Sequence, residues 1–414
     1  MSCPINVVIA DDSAFMRKKV REILAGDPEF RVVAADRDGQ EAVTYVKEQE
    51  PDVVTMMSCP INVVIADDSA FMRKKIREIL AGDPEIRVVA AARDGQEAVT
   101  YVKEHEPDVV TMDINMPVMD GITALQIIMA ESPRPVLMLS SLTQEGALTT
   151  FECLELGAFD YVGKPSGTIS TDIDRQAAEI IAKVKQASRC RTKRQSGRRL
   201  LPAPAKRSSG VPPLNVAKDH TARRVVAIGV STGGPKTLLD ILPYLPADLD
   251  AAVVVVQHMP ESFTGQFAKR LDDACQIPFK EVEAGDLLQA GHGYLARGGK
   301  HLVFAKRALG GVMARYSTQP TESLHIPSVD VMMDSAIQAF GSDVIGVLLT
   351  GMGDDGANAM VNVRRAGGQT VAEAESTCIV FGMPAQAIER GGADFVLPCH
   401  EIAEKIVSLV ACIV

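Results

Sequence analysis

Residues 61–68 read INVVIADD, a β-branched apolar run closed by two carboxylates. A run of that length and make-up predicts a strand buried on both faces, with Asp67 and Asp68 at its carboxyl end. A helix follows, N-capped by Ser69, with apolar positions at Phe71, Met72, Ile76, Ile79 and Leu80. Next come a strand in RVVAA, a helix in QEAVTYVKE and a strand in PDVVTM, which ends just before Asp113. The alternation continues through helix GITALQIIMA, strand PVLMLSS, helix QEGALTTFECLEL, strand AFDYVG and a helix over 172–187. Strands alternating with helices predict βα units on a parallel sheet, here a five-strand, five-helix unit over 57–187.

The same opening stands at 5–12, because residues 1–56 recur as 57–112. Only Val20/Ile76, Phe30/Ile86, Asp36/Ala92 and Gln49/His105 differ. Solenoid units diverge and stack at least threefold, so this near-identity reads instead as a recent tandem duplication or a copied gene segment. The first copy has Asp11 and Asp12 but carries Met57 where the second has Asp113, and it lacks any fourth and fifth strand of its own. It is therefore expected not to accept a phosphoryl group. The contiguous copy is expected to complete the sheet, leaving 1–56 loosely attached or partly folded.

The whole chain has 414 residues, 46% hydrophobic and 23% charged, as for a globular protein. Aromatic residues make up 4% with no Trp, and the net charge is −10, which argue against a base-stacking or phosphate-neutralising nucleic-acid binder. No run is long enough to span a bilayer, and the opening MSCPINVVIADD lacks a signal-peptide pattern. The eight cysteines form no CxxC pair, which suits reduced thiols and a cytoplasmic setting. Between 187 and 224 eleven Lys/Arg face one acid, Asp219, among scattered Pro, Ser and Gly. That stretch of 187–224 carries +10 and leaves −20 on the rest of the chain, and the basic linker is placed within it at 188–222. A solvated tether and a docking segment for acidic surfaces both suit such a composition.

From 223 to 414 the strand–helix pattern returns. VVAIGVS, AAVVVVQH and DVIGVLLTG are near-continuous apolar runs, and helices are expected after Ser231 and Asp355. Ligands of open parallel sheets bind at the carboxyl ends of strands, which singles out Ser231, His258 and the pair Asp354/Asp355. Residues 229–233 are Gly-Val-Ser-Thr-Gly, a turn that projects a serine towards backbone N–H groups. Phosphate binding or a plain tight turn also suits that motif. His258 is a candidate base and Asp355 a candidate orienting acid. In the first unit Asp67, Asp68, Asp113, Ser140 and Lys164 all fall at strand ends, a pattern suited to Mg²⁺ and a phosphoryl group.

Residues 57–187 resemble a response-regulator receiver domain. The resemblance makes Asp113, within DINMPVMDG, the phosphoacceptor and Ser140, Tyr161 and Lys164 the switch residues. It also implies Mg²⁺ near Asp67, held by Asp68, Asp113 and the carbonyl of Asn115. Residues 223–414 resemble the catalytic domain of chemotaxis protein-glutamate methylesterases through AIGVSTGGP, VVVQHMP, HIPSVDVMMDSA, GVLLTGMGDDGA and FGMP. That resemblance makes Ser231 nucleophile, His258 base and Asp355 the third member, with Thr232 and the backbone at Met352 near the oxyanion. Asp354, Ile326 and Arg297 depart from the usual pattern, and His325 is a neighbouring candidate.

The implied fold is two doubly wound parallel-sheet domains, flavodoxin-like and Rossmann-like, joined by the linker. The implied function is hydrolysis of glutamate γ-methyl esters, and deamidation of glutamines, on chemoreceptors. A chemotaxis histidine kinase would be the phosphodonor, and no cofactor is expected for the ester step. Neither nucleic acid nor membrane insertion is expected. The alternative is a non-catalytic phosphate sink or receptor-binding scaffold, against which the intact Ser231, His258 and Asp355 speak. A transcriptional regulator would need a helix-turn-helix element, which the sequence does not offer.

Overall fold

The computed structural model describes residues 5–10, 14–27, 29–36, 53–56, 60–140, 144–164, 170–190 and 221–412. Asp11, Asp12, Ser13, Met57, Pro165, the second helix of the first copy and most of the linker lie outside the described residues.

The first copy forms β1 (Ile5–Ala10), α1 (Ala14–Ala25), β2 (Phe30–Asp36) and β3 (Val53–Met56), a parallel sheet ordered β2-β1-β3. The second copy repeats it as β4 (Ile61–Ala66), α2 (Ala70–Ala81), β5 (Ile86–Ala92), α3 (Gly95–His105) and β6 (Val109–Asp113). Even the register shift recurs, between Val7 and Val8 and again between Val63 and Val64. The contiguous copy completes the larger sheet, as connectivity requires. Beyond it lie α4 (Gly121–Glu131), β7 (Val136–Ser140), α5 (Gln144–Glu155), β8 (Asp160–Gly163) and α6 (Ser170–Arg189). The strand order β5-β4-β6-β7-β8 is that of doubly wound flavodoxin-like sheets, with its switch point between β4 and β6. Ser69 caps α2 through Met72 N, as its position before an apolar stripe predicts. The α6 helix runs two residues past the expected boundary.

The first described residue of the C-terminal domain is Thr221, which bridges Gln289. Its elements are β9 (Val225–Val230), α7 (Gly234–Ile241), β10 (Ala252–Gln257), α8 (Glu261–Ala274), β11 (Phe279–Glu281), β12 (Gly293–Leu295), β13 (His301–Lys306) and β14 (Val312–Ser317). They continue with α9 (Val329–Phe340), β15 (Val344–Leu348), α10 (Ala357–Arg365), β16 (Gln369–Glu373), α11 (Met383–Glu389), β17 (Phe395–Leu397) and α12 (Cys399–Cys412). Seven parallel strands are ordered β11-β12-β10-β9-β15-β16-β17, while β13 and β14 form a separate antiparallel hairpin. Every residue of β9, β10 and β15 is buried, which explains their near-continuous apolar sequences, broken only by Gln257 at the end of β10. Chain order reverses direction at β9, so the crevice beyond its carboxyl end is the natural ligand site.

One apolar cluster continues from the first domain into the second. Phe151 on α5 stacks on Phe267 at 5.1 Å between centroids, and Tyr161 on β8 stacks on Phe263 at 4.9 Å with planes 8° apart. Arg270 on α8 pairs with Glu155. The α5–β8 face of the first domain thereby lies on α8, the helix that directly follows His258.

Candidate active site and phosphoacceptor site

Two strand-end clusters gather the residues singled out from the sequence. In the first domain Asp67 is fully buried and Asp113 nearly so, whereas Asp68 is exposed. Lys164 Nζ lies 2.9 Å from Asp67 Oδ2 and 2.7 Å from Asp113 Oδ2. Burial pushes the Asp113 carboxyl above its ordinary range against the pull of Lys164, and the Asp67 charge adds to the push. For Lys164, burial favours the neutral amine, but its bonds to Asp113 and Asp67 outweigh that and raise its pKa. Arg73 Nη1, which the sequence reading did not single out, donates to the carbonyls of Asp67 and Asp68 at 2.8 and 2.9 Å, fixing the strand end.

Carboxylate oxygens of Asp67, Asp68 and Asp113 lie within 4.8 Å of one another. Three carboxylates beside a single ammonium leave two negative charges uncompensated, and oxygen ligands of this kind suit a hard divalent cation. The residues thus fit Mg²⁺, with Asn115 on the exposed turn just beyond Asp113. Ser140 closes β7, its hydroxyl 2.8 Å from that of Thr150 on α5. Tyr161 is buried against Phe263.

In the second domain Ser231 directly follows β9 and His258 directly follows β10, side by side because Gln257 pairs with Val230 and His258 N donates to Val230 O at 3.1 Å. The loop after β15 brings Asp355, whose Oδ2 lies 2.8 Å from His258 Nε2. Neighbouring Asp354 instead forms an exposed ion pair with Arg390 at 2.6 Å. The two adjacent acids thus point to different partners, with Asp355, named from the sequence, on His258 and Asp354 on Arg390.

Asp355 is also held by the first turn of α9. Ser328 Oγ donates to Oδ1 at 2.8 Å, Val329 N to Oδ2 at 2.8 Å and Asp330 N to Oδ1 at 3.0 Å. Burial pushes this carboxyl up, but the His258 bond and charge and the α9 amides pull harder the other way, to about 2. No sequence signal pointed to Ser328 in this role; the structure places it at the N-cap of α9. With Nε2 donated to Asp355, the remaining ring nitrogen, Nδ1, is buried and has no hydrogen-bond partner among the described residues. His325 stacks on His258 at 4.0 Å with planes 13° apart, restricting the ring to this plane.

The Ser231 turn is fixed from the β15 side. Ser231 N donates to Thr350 O at 3.0 Å, and Thr350 Oγ1 donates to Thr232 O at 3.0 Å. A Cβ placed on Gly351 would come within 2.8 Å of Ser231 Cβ, so the backbone leading to Met352 runs directly against the serine. Thr232 is buried, while the Met352 side chain is half-exposed. Of the departing positions, Arg297 is paired with Glu261, its Nε 2.9 Å from Oε1. Ile326 accepts a backbone bond from Gly299 at 3.1 Å.

Fold and clusters define a class: a carboxylate-edged signalling sheet joined to a parallel-sheet hydrolase domain. A family model described as response regulator receiver domain matches residues 63–171, and one described as CheB methylesterase matches 226–406. A protein-glutamate methylesterase/protein-glutamine glutaminase of Syntrophomonas wolfei is 51% identical over 357 residues, covering 84% of this chain and 99% of the relative. One of Pyrococcus horikoshii is 44% identical over 355 residues, covering 86% and 95%. The solved CheB methylesterase catalytic domain of Thermotoga maritima is 42% identical, with a TM-score of 0.44, covering 45% of this chain and 98% of that one. The chain belongs to the protein-glutamate methylesterase/protein-glutamine glutaminase family, enzymes of the hydrolase class built here with a receiver domain. No helix among the described residues is long and apolar enough to cross a membrane.

Proposed function

We propose that this chain hydrolyses glutamate γ-methyl esters, and deamidates glutamines, on chemoreceptors through Ser231, His258 and Asp355, under control of phosphorylation at Asp113. The carrying observation is His258: its Nε2 is committed to Asp355 while Nδ1 is buried and unpartnered among the described residues. A nitrogen lone pair in that state is what a general base beside a serine requires. Ser231 Oγ attacks the ester carbonyl as its proton passes to His258 Nδ1, and Asp355 stabilises the imidazolium. The N–H groups of Thr232 and Met352 are the candidates to receive the oxyanion. Collapse returns the proton to the leaving methoxy oxygen and releases methanol, or to the amide nitrogen of a glutamine and releases ammonia. Water, deprotonated by His258, then frees the glutamate.

The receiver supplies the control. Its Tyr161 and Phe151 rest on α8, and Cys190 Sγ donates to Ile379 O at 3.0 Å. Ile379 in turn packs against Gly233, two residues from Ser231. Mg²⁺ bound by Asp68, Asp113 and Asn115 beside Asp67 would neutralise charge at the phosphoacceptor. A phosphoryl group on Asp113 draws Lys164 and Ser140 to its oxygens, and the Tyr161–Phe263 contact changes with them. The docking equilibrium then shifts towards an uncovered serine.

The test is methanol release from methylated receptor membranes with a histidine kinase or small phosphodonor. Ser231→Ala should abolish release, and Asp113→Asn should keep basal release but lose stimulation. Unchanged activity in Ser231→Ala would sink the mechanism.

A further inference from the structure

Gln257 is the last residue of β10, is 2% exposed and precedes the base. Its Nε2 donates to the carbonyl of Ser231 at 2.9 Å and to that of His258 at 3.1 Å. One carboxamide thus touches the peptide units of both reacting residues. The ladder between β9 and β10 ends at Gln257 and Val230, with one further bond from His258 N. Beyond that point the two chains diverge into separate turns, and no sheet pairing sets the spacing of Ser231 and His258.

The fold makes room for this group at some cost in side-chain space. A Cβ on Gly234 would lie 1.9 Å from Gln257 Oε1, so only glycine at the start of α7 admits the carboxamide. Oε1 itself is buried without a partner among the described residues. A buried polar side chain that leaves its acceptor unsatisfied while using its donor twice is poorly explained by stability alone.

We infer that Gln257 is a positioning residue that locks the nucleophile's turn to the base's turn, setting the Ser231–His258 geometry. The inference rests on the Ser–His reading proposed above. Its consequence is kinetic: displacement of reacting groups by about 1 Å costs up to roughly 100-fold in rate.

The experiment uses the full chain with phosphodonor and methylated receptor membranes. Gln257→Met keeps the length and burial but has no donor, and Gly234→Ala displaces the carboxamide from the opposite element. Both should lower kcat by roughly 10- to 100-fold with KM within about twofold. Phosphonylation of Ser231 by a fluorophosphonate probe should slow in parallel, a readout that needs no receptor. Unchanged kcat and phosphonylation in either folded variant would overturn the inference, as would a loss confined to KM. Ser231→Ala run beside them separates the two levels, since retained activity there refutes the Ser–His reading itself.

Discussion

Asp355 carries more of the active-site geometry than its exposed neighbour. Asp355→Asn removes the charge that orients and stabilises His258, so kcat should fall by on the order of 10²–10⁴. Asp354→Asn removes only the exposed pair with Arg390, and both activity and stability should stay near wild type. A depressed pKa also predicts a pH signature. The Asp355 carboxyl moves from 3.8 in the unfolded chain to about 2. Its ionised form therefore contributes about 2 kcal/mol above pH 4, lost as pH falls through 2. Acid titration of the unfolding midpoint should be shallower in Asp355→Asn. Asp330 has the opposite sign: burial, with the nearby Asp355 charge adding, raises it to about 6 against the Ala359 amide bond. Its stabilising form is the neutral acid, fully present below pH 3.8 and lost as pH rises through 6. Asp330→Asn keeps an acceptor for Ala359 N, so it should raise the unfolding midpoint at pH 8 and not at pH 4. Equal shifts at both pH values would contradict the assignment.

At the scale of elements, α8 links the two sites. It begins three residues after His258 and receives Phe151, Tyr161 and Glu155 from the receiver. Aromatic pairs contribute about 0.5–1.5 kcal/mol beyond their buried area. Phe263→Ala has its own core to disturb, so Tyr161→Ala is the cleaner probe. Methanol release without phosphodonor should rise by roughly 2- to 10-fold in that variant, the same energy expressed as a ratio. No rise would separate the aromatic contact from control of access. The first-copy sheet offers a second element-scale test. Among the described residues its β3 has only β1 as a neighbour, whereas the corresponding β6 has β4 and β7. Fewer neighbours mean weaker protection. Limited proteolysis should cleave within 1–56 before 57–187, and equal protection would contradict this.

The whole molecule joins an acidic cluster to a serine through a contact that neither domain contains alone. Chelation of Mg²⁺ should remove stimulation by phosphodonor while leaving basal methanol release in place, because the three carboxylates lie in the receiver. Loss of basal release on chelation would instead place a metal requirement in the catalytic domain. By itself the sequence determined both parallel sheets, since near-continuous apolar runs such as VVIA, VVAIGV and AAVVVV suit strands covered on both faces. It also determined which residues stand at strand ends, because that follows from where each apolar run stops. It did not disclose the β13–β14 hairpin, whose residues pack through a single face against α9. It named Asp355 over Asp354 only by resemblance, and it did not mark Ser328 or Gln257, because these depend on where a loop turns and which carbonyls come within reach. The tertiary structure decided those matters, and it alone set Tyr161 on Phe263. Contacts between residues distant in sequence carry no local period or spacing, so only the packed chain can specify them.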